Sequence, residues 1–295
     1  VATILVFGAS GVVGQFLLPK LAARGDRVLA VSRSIPTDAR ATAKIEWLRG
    51  DLCGEVPPPP PVNIVLSFGP LDAFAAWFAR AVSTHALGAE TRRVIALSSM
   101  SAESKRDSID AAERALSVRL RDAETLLMGD AREHEIDATI FRPTLIYGTG
   151  RDRSLAPIAR FARRWRMLPI PLGADGLRQP VHAADLAEAC LAALGNESTF
   201  AKIYPLGGGE RLRFDAMLRR IAIGPPRLAL ALPVPLTLLR VGVRLARGRI
   251  GAGALARLTE PLIADNAAAM RDFAYAPRPF RAQDVLGSAD SSGRD

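Results

Sequence analysis

The chain is expected to fold as an α/β protein, a doubly wound parallel sheet with a small C-terminal lobe on its substrate side. Three observations predict this. The sequence opens on an apolar run, Ile4-Leu5-Val6-Phe7, that passes directly into a glycine-spaced loop and then a helix. Strand-like runs then alternate with helical stretches to about residue 143, the rhythm of parallel strands joined by helices. Beyond about residue 150 the alternation fades. The expected division is a Rossmann-type core over residues 1–150, a mostly helical lobe interleaved with it over 151–287, and a disordered tail over 288–295.

The opening loop reads Gly8-Ala9-Ser10-Gly11-Val12-Val13-Gly14, a G-x-x-G-x-x-G spacing followed by a helix from Gln15 to Ala23. Gly8 allows a tight exit from the strand, and Gly11 lets backbone approach a pyrophosphate. Gly14 lets helix and sheet pack closely, and the free N–H groups of the helix start face phosphate. A plain structural loop could carry a glycine triplet. The strand-then-helix context points instead to dinucleotide binding, with Gly8, Ser10, Gly11, Val12, Val13 and Gly14 as the cradle.

The second strand, Arg27 to Arg33, ends on a basic residue. No Asp or Glu occurs between Arg27 and Asp38. A carboxylate at this point suits the ribose 2′-hydroxyl of NAD, whereas an arginine suits the 2′-phosphate of NADP. Arg33 is therefore assigned to the cofactor, and NADP(H) is expected ahead of NAD(H). Further strands are expected over Lys44–Leu48, Val62–Phe68, Arg93–Leu97 and Ala138–Phe141. Five prolines, Pro57–Pro61, make a stiff connector without N–H donors. A helix over Leu71–His85 places Phe74, Trp77, Phe78 and Ala81 on one face, a core stripe. A long helix runs from about Asp110 to Glu135. A basic helical segment, Ala156–Arg166, precedes Pro169-Ile170-Pro171-Leu172. Another helix opens at Gln179–Asp185, Ile203–Gly207 reads as one more strand, and the remainder reads as helical to Met270.

The 295 residues suffice for a full core, and 49% hydrophobic with 23% charged residues is ordinary for a globular protein. The net charge of +9 comes almost wholly from arginine, since the lysines are Lys20, Lys44, Lys105 and Lys202. Such an excess suits an anionic ligand, a nucleic acid or an acidic membrane surface. A GC-rich genome also produces it. Cys53 and Cys190 stand far apart, which suggests neither a disulfide framework nor a zinc site and fits a reducing, cytoplasmic setting. The first apolar run is a strand rather than a secretory leader. The longest, Leu228–Leu239, is twelve residues broken by Pro233 and Pro235, too short to span a bilayer. Arg240, Arg244, Arg247 and Arg249 beside it suggest an amphipathic helix for a core, an anionic membrane or a partner protein. No aromatic platform accompanies the arginines, which argues against nucleic acid.

With these motifs in place, the chain resembles the extended short-chain dehydrogenase/reductase family, the group of NAD-dependent epimerases and dehydratases. The resemblance rests on the glycine loop, Asp51-Leu52, Ser98-Ser99 and Arg142-Pro143-Thr144-Leu145-Ile146-Tyr147-Gly148. Val181-His182-Ala183-Ala184-Asp185 and Tyr275-Ala276-Pro277-Arg278-Pro279-Phe280 complete it. It implies that Asp51 and Leu52 hold the adenine and that Ser67, Phe68 and Gly69 line the cofactor groove. Pro143 and Thr144 would lie near the nicotinamide, Ser98 would also bind the cofactor, and Ser99 would be the catalytic hydroxyl.

One departure stands out. The family's chemistry uses a tyrosine and a lysine four residues apart on the long helix, with a glutamate four residues further on. Anchored on Glu124, these positions are Leu116 and Leu120; a shift of one residue gives Ser117 and Arg121. Leu116, Leu120, Ala123 and Leu127 instead form an apolar stripe, read here as packing surface. No metal site is expected, and a Ser99–His182–Asp185 triad lacks a nucleophile elbow. Two expectations follow. In one, the protein is an atypical NADP-dependent oxidoreductase or epimerase-like enzyme on a small organic substrate, with Ser99 and Arg121 as catalytic groups and Arg160, Arg163, Arg164 and Arg166 as a possible anion clasp. In the other it is a catalytically silent NADPH-binding protein acting through a protein partner or as a homodimer. This second type resembles the branch of the NADPH-holding accessory subunit of respiratory complex I.

Overall fold

The computed structural model describes residues 1–36, 44–224, 229–235 and 258–287. Its centre is a seven-stranded parallel sheet. β1 (Thr3–Phe7) lies inside it, flanked on one side by β2 (Arg27–Ser32) and β3 (Ile45–Arg49). On the other side come β4 (Ile64–Ser67), β5 (Arg93–Leu97), β6 (Asp137–Pro143) and β11 (Lys202–Leu206). Strand order thus reverses between β1 and β4. In such sheets that crevice, outside the carboxyl ends of the strands, is where ligands bind.

Alternation along β1 builds both faces. Ile4 and Val6 point to a layer made by α1 (Gly14–Ala23), α6 (Ala183–Ala193) and α8 (Ala267–Phe273). Leu5 and Phe7 point to the opposite layer of α2 (Leu71–Ser83) and α4 (Ala111–Glu133). The predicted stripe Phe74, Trp77, Phe78 and Ala81 is buried in that layer, with the Trp77 ring edge-on to Phe7 at 4.5 Å. Each such side chain contributes roughly 1.5–3 kcal/mol on burial. The Asp110 carboxylate caps α4 by accepting from the Ala112 amide at 2.9 Å, which fixes the helix start the sequence suggests.

One charged side chain sits inside this architecture. Arg93, at the start of β5, is 4% exposed. Its guanidinium donates to the carbonyls of Ala193, Leu194 and Asp137 and to the hydroxyls of Thr139 and Thr199. It therefore ties the carboxyl end of α6 to the sheet, where a cation complements the helix dipole.

The remaining elements form a smaller assembly around a third apolar cluster. They include β7 (Ile146–Tyr147), α5 (Ala156–Trp165), β8 (Met167–Leu172), β9 (Leu177–Arg178), β12 (Leu212–Arg213), α7 (Phe214–Ile223) and β13 (Leu230–Pro235). α3 (Ser101–Ser104) packs on α4 instead, and β10 (Val181–His182) pairs with β7 while its Val181 joins the cluster around α1. β13 corrects the helical reading of this region: Leu230–Pro235 is extended and pairs in parallel with β8. Pro233 and Pro235 lack N–H donors and break helices, but they are tolerated in a two-stranded edge ribbon. The arginines from Arg240 to Arg249 lie outside the described residues, as does the tail from residue 288.

Candidate functional site

The glycine loop is sterically determined. Gly8 has φ +69°, and a Cβ there would meet the Phe68 carbonyl carbon at 2.8 Å. A Cβ on Gly14 would stand 2.0 Å from the Ala9 carbonyl oxygen, so only glycine lets α1 start this close to β1. At Gly11 a Cβ would meet the Gly8 carbonyl oxygen at 2.8 Å, and the Gly11 amide donates to that oxygen. Gly11 thus serves the turn of the loop itself, a role added to its expected approach to pyrophosphate. α1 begins without a side-chain cap, although the Gln15 and Phe16 amides of its first turn already donate to the Gly11 and Val13 carbonyls. Close by, the Ser67 hydroxyl is buried at the end of β4 with no hydrogen-bond partner among the described residues. The cradle, the uncapped helix start and the unpartnered hydroxyl fit a dinucleotide phosphate.

Ser32 ends β2, and its hydroxyl pairs with Ser10 Oγ at 2.7 Å while donating to the Ser34 carbonyl. A serine, not a carboxylate, thus stands at the end of β2 itself. Arg33 follows and lines an open cavity of about 490 Å³ with Arg49, Gly50, Asp51, Glu55 and Pro57. Arg49 ends β3 and was missed by sequence reasoning; its signal is its place at a strand's carboxyl end, one strand over from Arg33. Asp51 accepts from the Cys53 amide, and Leu52 approaches Gly69 so closely that a Cβ there would meet Leu52 Cδ1 at 2.9 Å. The expected adenine-side residues and Gly69 of the groove thus meet in space.

At the far end of the crevice a buried polar cluster joins three elements. Glu124 of α4, 2% exposed, accepts from Ser98 Oγ at 2.5 Å and from Arg142 Nε at 2.8 Å. A second Arg142 nitrogen reaches the other Glu124 oxygen, and a third reaches Glu103 at 2.7 Å. Ser99 Oγ accepts from the Ser101 amide at the start of α3. Thr144 is buried and donates to the Gln179 carbonyl, so its hydroxyl is held by protein.

On α4, Ala123 and Leu127 are buried, but Leu116 and Leu120 are only half-buried. The packing stripe therefore weakens exactly where the family's acid–base pair would stand, because Ser117 takes the inward position and donates to the Ala102 carbonyl at 2.6 Å. Arg121 is half-buried one turn beyond Ser117, and its Nε has no hydrogen-bond partner among the described residues.

All three tyrosines of the chain are buried. Tyr147 packs edge-on to His182 and Phe280, its oxygen accepts from the Arg281 amide, and burial pushes its pKa up to about 12. Tyr204 donates to Asp272 and Tyr275 to the Gly207 carbonyl; burial raises both. His182 caps α6, with Nδ1 accepting from the Ala184 amide at 3.1 Å, and burial lowers its pKa. Asp185 binds Arg278 through both oxygens. With His182 and Asp185 so engaged, the paper triad with Ser99 does not assemble.

A second cavity, about 370 Å³, opens between the core and the smaller assembly, lined by Ser101, Lys105, Leu145, Arg153, Arg178 and Phe214 among others. Lys105 pairs with Glu113 at 3.4 Å, and Arg178 stacks over Phe214. Arg160, Arg163, Arg164 and Arg166 do not line it; its cations come from other elements.

Comparison with known proteins agrees with this geometry. The model of the NAD dependent epimerase/dehydratase family matches residues 121–207. A curated relative from Arabidopsis thaliana, "NADH dehydrogenase [ubiquinone] 1 alpha subcomplex subunit 9, mitochondrial", is 28% identical over 235 residues, 70% of this chain and 53% of that protein. The Vibrio cholerae UDP-glucose 4-epimerase is 24% identical over 117 residues, 39% of this chain and 35% of that one. The chain thus spans about half the length of the first curated relative and a third of the second. Among solved structures, MoeE5 in complex with UDP-glucuronic acid and NAD superposes with TM-score 0.73 at 19% identity, covering 96% of each chain. UDP-glucuronic acid 4-epimerase from Bacillus cereus in complex with NAD gives 0.70 at 14% identity, covering 98% and 97%. Those two likenesses speak to the fold.

The protein is a Rossmann-type α/β protein, and part of its sequence resembles the NAD dependent epimerase/dehydratase family. Its sequence is similar to that family's model over residues 121–207 and to the complex I subunit over 235 residues.

Proposed function

We propose that the protein binds a nicotinamide dinucleotide and prefers NADP(H) to NAD(H). The observation that carries this reading is the pair Arg33 and Arg49 lining one cavity beyond the ends of β2 and β3, where Ser32 stands in place of a carboxylate. Two guanidiniums there suit a 2′-phosphate, set against Asp51 and Glu55, which line the same cavity. The glycine loop would hold the pyrophosphate, Ser67 to Gly69 the groove, and Ser98, Pro143 and Thr144 the nicotinamide end. When bound, the cofactor supplies a hydride to or from a substrate carbon.

On this reading the protein is an atypical oxidoreductase or epimerase-like enzyme, favoured by the open 370 Å³ cavity beyond Ser99–Ser101. Ser99 would orient a carbonyl oxygen. Arg121, with its unpartnered Nε, would stabilise charge in place of the missing phenol and ammonium. A second reading, a catalytically silent NADPH holder acting through a partner protein, is favoured by Leu116, Leu120 and the three buried tyrosines. The unpaired cysteines suit a reducing, cytoplasmic setting.

Thermal shift with NADPH and with NADH tests the cofactor assignment, because a ligand bound to the native state raises its stability by mass action. NADPH is expected to shift the melting curve more than NADH, and Arg33→Ala or Arg49→Ala to remove most of that difference. Equal shifts in the wild-type protein would overturn the preference. NADPH oxidation against a panel of carbonyl compounds then separates the two readings.

A further inference from the structure

α5 is amphipathic in an inverted sense. Its inward positions, Ala156, Ala159 and Ala162, are small and buried. Its large apolar residues face outward: Phe161 is 42% exposed and Trp165 58% exposed, one helical turn apart, with ring centroids at 6.4 Å. Beside this aromatic row runs a second, Arg160 and Arg164, also one turn apart and exposed; the Arg164 guanidinium lies 5.3 Å from the Trp165 ring. Arg163 and Arg166 add two further exposed guanidiniums.

The apolar character continues past the helix. Met167 at the start of β8 is exposed, and Leu230, its register partner in β13, is 64% exposed. Ordinary core economy places such residues inward and alanines outward. This face does the reverse, and Phe161 and Trp165 line neither of the cavities described above, although Ile158, one turn before Phe161, lines the second.

We propose that this face docks the protein on an anionic lipid bilayer, with Phe161, Trp165, Met167 and Leu230 entering the headgroup boundary and the arginines pairing with lipid phosphates. Charge complementarity selects this occupant: the patch sets exposed Arg164 against the Trp165 ring with Arg160, which also donates to the Gly150 carbonyl, one turn before it, and the whole chain carries +9. Tryptophan and arginine are the residues that settle at a bilayer interface, the ring in the boundary and the guanidinium at the phosphates. Attachment would be peripheral, since among the described residues no helix is long and apolar enough to cross a membrane.

The test uses the full chain with vesicles of phosphatidylcholine alone and of phosphatidylcholine mixed with phosphatidylglycerol. Co-sedimentation is expected with the mixed vesicles, weakening as salt rises, and little with phosphatidylcholine. Each arginine at an anionic surface contributes about a factor of five to binding, so Arg160→Gln/Arg164→Gln should weaken it by about twentyfold or more. Phe161→Ser/Trp165→Ser should abolish it. Trp165→Phe keeps an aromatic and should still bind, while losing the blue shift of tryptophan emission that the wild-type protein shows with mixed vesicles. A NADPH thermal shift, measured in parallel, reports folding of each variant. Failure to bind mixed vesicles, or equal binding by wild type and both double variants, overturns the proposal. So does concentration-dependent self-association, abolished by Phe161→Ser/Trp165→Ser, in a wild-type protein that ignores vesicles.

Discussion

Glu124 holds Arg142 through both carboxylate oxygens, with Nε 2.8 Å from Oε1 and a second nitrogen on Oε2. The pair links α4 to β6, and Ser98 from the end of β5 joins it. Opposite charges at this range hold Arg142 firmly protonated, through its hydrogen bond to Glu124 above all. Removing one member of a buried pair leaves the other uncompensated, at about 3–5 kcal/mol. Glu103 remains as a partner for Arg142, so Glu124→Ala is expected near the lower end, about 3 kcal/mol. Urea unfolding measures it. A loss under about 1 kcal/mol would mean that the cluster does not hold the crevice together.

Gly14→Ala is the sharpest steric test of the loop. Its methyl would lie 2.0 Å from backbone oxygen, which no rotamer change relieves. Overpacking of this kind costs about 1–3 kcal/mol or more, and here it must push α1 away from β1. The expected outcome is a lowered melting temperature together with loss of the NADPH-induced shift. Retention of both would show that the loop yields easily.

Arg93 gives a prediction for the sheet. Burial lowers its pKa to about 10, which leaves it charged at neutral pH. Arg93→Met would remove the donor to the Asp137, Ala193 and Leu194 carbonyls, while the Thr139 and Thr199 hydroxyls keep their own carbonyl partners, at a cost of about 3 kcal/mol. Arg93→Lys, a point charge without the planar fork, recovers only part of this. Chemical denaturation of the two variants side by side checks the order.

His182 introduces a pH dependence. Burial, and then Arg278, hold its imidazole below the ordinary value, and its Nδ1 must stay unprotonated to accept from Ala184. The unfolded chain takes up this proton near pH 6.5, about the model-peptide value. Below that pH the unfolded state binds more protons than the native one, so stability is present above about pH 6.5 and declines as pH falls. His182→Asn keeps a side-chain acceptor for the cap without titrating. Its stability should fall less steeply than that of wild type between about pH 7 and pH 5.5, which melting temperatures across that window will show.

Much of the core was legible because it rests on local periodicity. Phe74, Trp77 and Phe78 share a helix face by spacing alone, and the structure buries all three. β13 was not legible. The apolar stretch around Leu230–Pro235 has no period that separates strand from helix, and its partner, β8, lies some sixty residues earlier. The basic run from Arg160 to Arg166 reads equally as an anion clasp or a solvated helix face, because charge is visible in sequence and facing is not. The cations of the cavity, Lys105, Arg153 and Arg178, come from three distant segments.

The sequence by itself determined the glycine loop, the order of the core elements and the absence of a Tyr-x-x-x-Lys pair. These are properties of neighbouring residues, set by backbone sterics and side-chain chemistry. Only the tertiary structure decided that Arg49 joins Arg33, that Glu124 holds Ser98 and Arg142, and that α5 turns its aromatics outward. Burial and pairing depend on which segments the folded sheet brings together, and that proximity is not a property of any one segment.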